Sequence, residues 1–180
     1  DNGFLQFVRD PARFDVVVTE NTFGDILSDL GAAVVGSLGV LPSASLGAEG
    51  HPGIFEPVHG SAPDIAGRGI GNPLGAVLSA ALMLRYAFTM EHEARIIEAA
   101  VDEVLEHGPW TPDVAPAGAE PAGTSDVGRA VADIVRRRLD PESSPAAGSR
   151  LQHAAPRYWV AGDHGFRPVY ADDPGGRLAR

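Results

Sequence analysis

Residues 56–73 of this 180-residue chain read EPVHGSAPDIAGRGIGNP, a run rich in glycine in which a carboxylate and an amide stand at defined places. Glycine permits positive φ angles and lets backbone N–H groups come close to a ligand. Asp64 offers an acceptor suited to a ribose diol, and Asn72 can pair with the edge of a base. The run therefore predicts a nucleotide-binding loop, and a surface turn is the alternative that glycine alone leaves open.

The composition is that of one globular domain, with 44% hydrophobic and 21% charged residues. A formal net charge of -10 disfavours nucleic acid as a partner. The absence of cysteine excludes disulfides and thiol nucleophiles, and because all 14 basic residues are arginine the chain offers no lysine base. No run approaches the roughly 18 apolar residues of a membrane span. We expect a cytoplasmic protein with neither nucleic-acid nor membrane partners.

The order of predicted elements indicates an α/β chain. A β-branched run over residues 14–19 predicts a buried strand, and the Gly- and Pro-rich residues 36–73 predict short strands and ordered loops. Helical spacing of apolar residues predicts helices over residues 24–35, 74–88, 91–107 and 124–139. The opening run of residues 4–9 is typical of the end of a helix, so we expect a fragment. Residues 1–139 form the predicted domain, and residues 140–180, which lose this periodicity, are predicted to be disordered.

Two carboxylates stand four residues apart on the first of these helices. Asp25 and Asp29 would leave one face of the helix within about 6 Å of each other, where like charges repel. A divalent cation between them would offset the repulsion, and oxygen ligands suit Mg²⁺ or Mn²⁺. The alternative is an acid that complements the helix dipole beside a second, solvated acid.

Three blocks of sequence together resemble the isocitrate/isopropylmalate dehydrogenase family, metal-dependent enzymes that oxidise and decarboxylate 2-hydroxy acids. They are TENTFGDILSD at 19–29, GSLGVLPSAS at 36–45 and the run at 56–73. The resemblance covers residues 1–139 and implies an α/β fold of this family that is incomplete, with its N-terminal part missing. Residues 41–45 are most similar to the isopropylmalate branch, while the homoisocitrate and tartrate branches remain alternatives.

The resemblance implies NAD-dependent oxidation and decarboxylation of 3-isopropylmalate to 2-oxoisocaproate, a step of leucine biosynthesis, by a homodimer. It implies Mg²⁺ or Mn²⁺ bound by Asp25, Asp29 and Asp1, the last donated across the dimer interface. Asp64 would bind the adenosine ribose and repel a 2′-phosphate, which favours NAD over NADP. The residues implied in binding the cofactor are Glu56, His59, Gly60, Ser61, Ala62, Asp64, Ile65 and Asn72.

The resemblance also implies that the catalytic groups lie elsewhere. The family's lysine base, its tyrosine acid and the arginines that bind the substrate carboxylates all precede the position that matches Asp1. We therefore expect no catalytic residue in this chain and no turnover by the chain alone. We also expect the helix at 74–88 to expose apolar surface that the missing sheet would cover. A non-catalytic remnant that binds nucleotide or associates with an intact subunit is the alternative of a different class.

Overall fold

The computed structural model describes residues 2–48, 51–140, 158–162 and 165–169, the last two segments as backbone only. The described residues form five α-helices and two antiparallel pairs of strands, with short 3-10 turns at Pro11–Arg13 and Leu38–Val40. In chain order the elements are α1 (Asn2–Arg9), α2 (Asn21–Val35), β1 (Pro42–Ser45), β2 (Ile54–Pro57), α3 (Leu74–Phe88), α4 (Glu91–His107), α5 (Thr124–Leu139), β3 (Tyr158–Gly162) and β4 (Gly165–Val169).

The hydrophobic core lies among α3, α4 and α5, with α4 packed against both of the others. The apolar residues of α4 recur at helical spacing, and Val101 and Val104 are fully buried against Leu74 and Val127 in one cluster. Burying a Val or Leu side chain contributes roughly 1.5–3 kcal/mol. The predicted end of α4 is confirmed, since Gly108 follows it at a φ of 82° that suits glycine. Within the described residues, no helix combines the length and the hydropathy that a membrane span requires.

The start of α3 lies directly against the hairpin of β1 and β2, in which Pro42 pairs with Pro57 and Ser45 with Ile54. Gly75 makes this approach possible, because a Cβ at that position would lie 2.9 Å from the Gly39 carbonyl oxygen and 3.1 Å from that of Leu41. The predicted nucleotide loop is therefore fixed between two packed elements, β2 before it and α3 after it.

The strand predicted over residues 14–19 is wrong. These residues belong to no described strand, and Val16 and Val18 are 80% and 91% exposed. A β-strand needs a neighbour for its backbone hydrogen bonds, and the described part of the chain pairs none with this segment. The expected exposure of large apolar side chains on α3 is limited to its last turn, where Tyr86 and Phe88 are exposed, whereas Leu74 and Ala81 are buried.

The first long helix also differs from its prediction. It begins at Asn21, three residues before Gly24, because the Glu20 carboxylate caps it. Asp25 consequently lies in the second turn, outside the first turn in which the sequence had placed it.

The hairpin of β3 and β4 lies inside the segment predicted to be disordered. Its strands are antiparallel, with Tyr158 paired to Val169 and Gly162 to Gly165. Aromatic and β-branched residues such as Trp159 and Val160 favour strands, but their irregular spacing indicated none. Residues 141–157 and 170–180, to which the same prediction applied, lie outside the described residues.

Candidate functional site

The predicted nucleotide loop coils through two successive turns. The Ile65 N–H donates to the Ala62 carbonyl at 3.1 Å, and the Arg68 N–H donates to the Ile65 carbonyl at 3.1 Å. Gly67 and Gly69 take φ angles of 77° and 66°, and Ala62 takes 43°, which is uncommon for a residue with a Cβ. Such a conformation costs of order 1–3 kcal/mol and is concentrated at functional sites.

The side chains predicted to bind the cofactor are mostly open to solvent. Glu56 on β2 is exposed, and so are the loop residues Ser61 and Asp64. His59 is half-buried, and its Nδ1 lies 2.9 Å from the Gly60 carbonyl oxygen. Because a carbonyl can only accept, Nδ1 is the donor in this contact. Glu56, Ser61 and Asp64 are thus exposed around the two turns of the loop.

Thr124 attaches the far end of the loop to α5. Its backbone N–H donates to the Gly69 carbonyl at 2.8 Å, and its Oγ1 donates to the Gly71 carbonyl at 2.6 Å. Threonine and serine are preferred N-cap residues, but neither Thr124 nor Ser125 caps α5: Gly123 is the N-cap, and the Asp126 carboxylate accepts the Gly123 N–H. The threonine hydroxyl instead bonds a residue 53 positions away, a contact for which the sequence gives no local signal.

Asn72 joins the loop to α3. Its Oδ1 accepts the Leu74 N–H at 3.0 Å, although the N-cap of α3 is Pro73 and the helix begins at Leu74. Its Nδ2 donates to Asp113 Oδ2 at 3.0 Å. Both ends of the amide therefore have protein partners, and one amide N–H is left for a base.

Asp25 and Asp29 are both exposed on one face of α2. The Asn21 Nδ2 donates to Asp25 Oδ2 at 3.2 Å. Among the described residues no group of three or more His, Cys, Asp or Glu side chains is placed to bind a metal ion. Asp1, the third predicted ligand, lies outside the described residues. The two carboxylates form an oxygen-only donor pair that suits Mg²⁺ or Mn²⁺ once a further ligand and water complete it.

Glu20 orients the start of the helix that carries these acids. Its carboxylate accepts the Phe23 N–H at 2.8 Å and the Thr22 N–H at 3.1 Å. These bonds, that from Phe23 first, lower the pKa of Glu20 below its ordinary value, so the cap stays anionic. Sequence reasoning missed this cap because glutamate is outside the set of residues preferred there.

An apolar pocket of about 240 Å³, open to solvent, lies between α1, residues 14–19 and α2. Phe23 and Leu27 line it from α2, and they stand on a different face from Asp25 and Asp29 because the two pairs are offset by two residues. Among the described residues, none of those predicted to bind nucleotide or metal lines it; the lining residues are Gly3, Phe4, Phe7, Phe14, Val17, Thr19, Phe23 and Leu27.

Comparison with known proteins identifies the protein family of this chain. The family model "Isocitrate/isopropylmalate dehydrogenase" matches residues 1–131, and the chain belongs to this family. Within the family, the chain is 58% identical over 131 residues to 3-isopropylmalate dehydrogenase of Desulfitobacterium hafniense, covering 73% of this chain and 37% of that protein. It is 51% identical over 140 residues to 3-isopropylmalate dehydrogenase of Halalkalibacterium halodurans, covering 78% of this chain and 38% of that protein.

A solved structure agrees with this assignment. The crystal structure of isocitrate dehydrogenase from Methylococcus capsulatus matches with a TM-score of 0.70 and 46% identity, covering 76% of this chain and 39% of that one. The predicted family and the predicted partial α/β fold are confirmed. The chain spans about 38% of the length of the curated relatives it matches. The individual metal and cofactor ligands remain predictions.

Proposed function

We propose that this chain provides the adenosine-binding and metal-binding residues of an NAD-dependent 3-isopropylmalate dehydrogenase. The observation that carries the proposal is the loop at 60–72, which is bonded to α5 through Thr124 and to Asp113 through Asn72 while Asp64 stays exposed. The names of the relatives support the substrate and favour it over homoisocitrate and tartrate. The complete enzyme would be a cytoplasmic homodimer that oxidises 3-isopropylmalate and releases CO₂ to give 2-oxoisocaproate for leucine synthesis.

In this proposal the residues of the chain bind and orient, and they transfer no proton. The Asp64 carboxylate accepts hydrogen bonds from the adenosine ribose hydroxyls, and exposed backbone groups of residues 60–62 face the cofactor. Asp25 and Asp29 bind Mg²⁺ or Mn²⁺, which supplies positive charge beside the substrate's hydroxyl and carboxylate. The acid, the base and the arginines for the substrate carboxylates come from residues outside these 180.

The proposal is tested by the coding sequence upstream of Asp1. We expect it to encode the tyrosine, the lysine and the arginine cluster, whereas a stop codon or unrelated sequence would exclude the enzyme. Purified chain 1–180 should produce no NADH from NAD and 3-isopropylmalate. Turnover by the chain alone would contradict the assignment of the acid and base to other residues.

Charge reversal at Asp64 should change the choice of cofactor. In the complete enzyme, Asp64→Lys is expected to lower the preference for NAD over NADP about tenfold, because the ammonium group loses the ribose contact and attracts the 2′-phosphate. The measurement is kcat/KM for each cofactor. Glu120→Lys, the same charge reversal at another exposed position, is the control and should leave the ratio unchanged. An unaltered ratio in Asp64→Lys would refute the ribose assignment.

Removing one charge from α2 should weaken metal binding. Asp29→Asn in the complete enzyme is expected to raise the Mg²⁺ concentration for half-maximal activity about tenfold, since a neutral amide is a weaker ligand than a carboxylate. Activity is titrated with MgCl₂ at constant ionic strength. The matched variant Asp133→Asn changes an exposed aspartate of α5 that pairs with Arg136 and should leave the titration unaltered. A normal metal requirement in Asp29→Asn would count against the site.

A further inference from the structure

Three segments distant in sequence meet at the carboxylate of Asp113. Its Oδ2 accepts the Asn72 Nδ2–H at 3.0 Å and also the hydroxyl of Ser37. Ser37 Oγ in turn accepts the Gly39 N–H at 3.0 Å. One oxygen thus joins the segment after α2 to the residue that ends the nucleotide loop, and the sequence analysis assigned Asp113 no function.

The turn that carries Asp113 is firmly placed. The Thr111 carbonyl accepts the Val114 N–H at 3.1 Å and the Ala115 N–H at 3.0 Å, and both Thr111 and Val114 are buried. Just before it, the Trp110 Nε1–H donates to the Leu105 carbonyl at the end of α4 at 2.9 Å. The carboxylate is therefore presented by a packed turn, so its position is set by the core.

Asn72 also lies close against Gly39. A Cβ at Gly39 would lie 2.6 Å from the Asn72 Cβ, a distance that real Cβ contacts do not reach. The Asn72 carbonyl is directed to the Leu74 N–H and its amide nitrogen to Asp113. The Leu74 N–H and Asp113 thus hold the amide group from its two ends, and Asp113 is the partner of its nitrogen.

We infer that Asp113 is a positioning residue for the adenosine half of NAD and acts through Asn72. The inference rests on the proposed function, because it requires that the loop binds the cofactor. When the carboxylate is absent, the Asn72 amide keeps only its bond to the Leu74 N–H, so Nδ2 is no longer held and the end of the loop loses one of its fixed points. The base then meets a donor whose direction varies, which weakens its binding.

The test is calorimetric titration of the 180-residue chain with NAD and with AMP. Asp113→Ala is expected to raise the dissociation constants of both ligands by the same factor of about ten, because both carry adenosine. The dissociation constants of Asp113→Asn should stay within about twofold of those of the wild type, since its side-chain oxygen can still accept a hydrogen bond from Asn72. Asp133→Ala, which removes an exposed aspartate of α5, is the control and should bind normally.

The side-chain amide signal of Asn72 in nitrogen-15 NMR spectra reports the orientation directly. The chemical shift of this signal should change in Asp113→Ala and return to its wild-type value in Asp113→Asn. If Asp113 only stabilised the fold, Asp113→Ala would lower the melting temperature and Asp113→Asn would not restore the signal. If the alanine variant does not fold, Asp113→Ser, too short to reach Asn72, is used for the same titration.

The outcomes separate the two proposals. A wild-type chain that binds neither NAD nor AMP overturns the nucleotide site and this inference together. A wild-type chain that binds both, with unchanged affinity in Asp113→Ala or Asp113→Ser, overturns the inference alone.

Discussion

Leu74→Ala is expected to lower the free energy of unfolding by about 3 kcal/mol. Leu74 is 1% exposed and belongs to the same buried cluster as Val101 and Val104. Truncating a buried leucine loses its transfer free energy and leaves a cavity, which together cost about 2–5 kcal/mol. Urea denaturation of the 180-residue chain, followed by circular dichroism, measures the change.

The control for this truncation is Leu139→Ala. Leu139 ends α5 and is 50% exposed, so its loss should change the free energy of unfolding by no more than about 0.5 kcal/mol. Equal effects of the two variants would show that α3 is not packed on α4 as described.

Arg85→Leu is expected to lower the free energy of unfolding by about 2 kcal/mol. The guanidinium of Arg85 on α3 binds Glu98 of α4 through two bonds, Nη1 to Oε1 at 2.6 Å and Nη2 to Oε2 at 2.8 Å. The two side chains are only 17% and 14% exposed. Removing one partner leaves the Glu98 carboxylate largely buried without its counter-charge, which costs about 3–5 kcal/mol at full burial and less here.

Arg95→Leu is the matched control for the ion pair. Arg95 pairs with Glu91 where the side chains are 46% and 47% exposed, so its loss should cost no more than about 1 kcal/mol. The double variant with Arg85→Leu and Glu98→Leu should recover most of the loss, because no charge is left unpaired. A single variant Arg85→Leu as stable as Arg95→Leu would show that the buried pair contributes nothing.

The same network gives a pH dependence. Hydrogen bonds, first from Arg85 and then from Arg95, lower the pKa of Glu91 below its ordinary value of 4.5. A carboxyl whose pKa is lower in the folded state contributes stability above its unfolded pKa and loses it as pH falls through the folded pKa. Urea midpoints should therefore decline below about pH 4.5, with a shallower decline in Arg85→Leu.

The helices were predictable because their signals are local. Apolar spacing and a following glycine defined α4 as residues 91–107, and the structure has Glu91–His107. The prediction of a strand at residues 14–19 was wrong because the signal for a strand is not purely local. A strand depends on a neighbour that its own residues do not specify. The capping of α2 by Glu20 was not predicted, because glutamate is outside the local preference for Ser, Thr, Asp or Asn.

The candidate site likewise has local features, which the sequence predicts, and long-range contacts, which it does not. The amino-acid sequence alone was sufficient for the family, the α2 acids one turn apart and the loop that exposes Asp64, because motif spacing and helical periodicity are properties of neighbouring residues. It could not reveal that Asp113 orients Asn72 across 41 positions, nor that Thr124 bonds Gly71 across 53. Those contacts exist because α3, α4 and α5 pack around one core, and packing places side chains together irrespective of their separation along the chain.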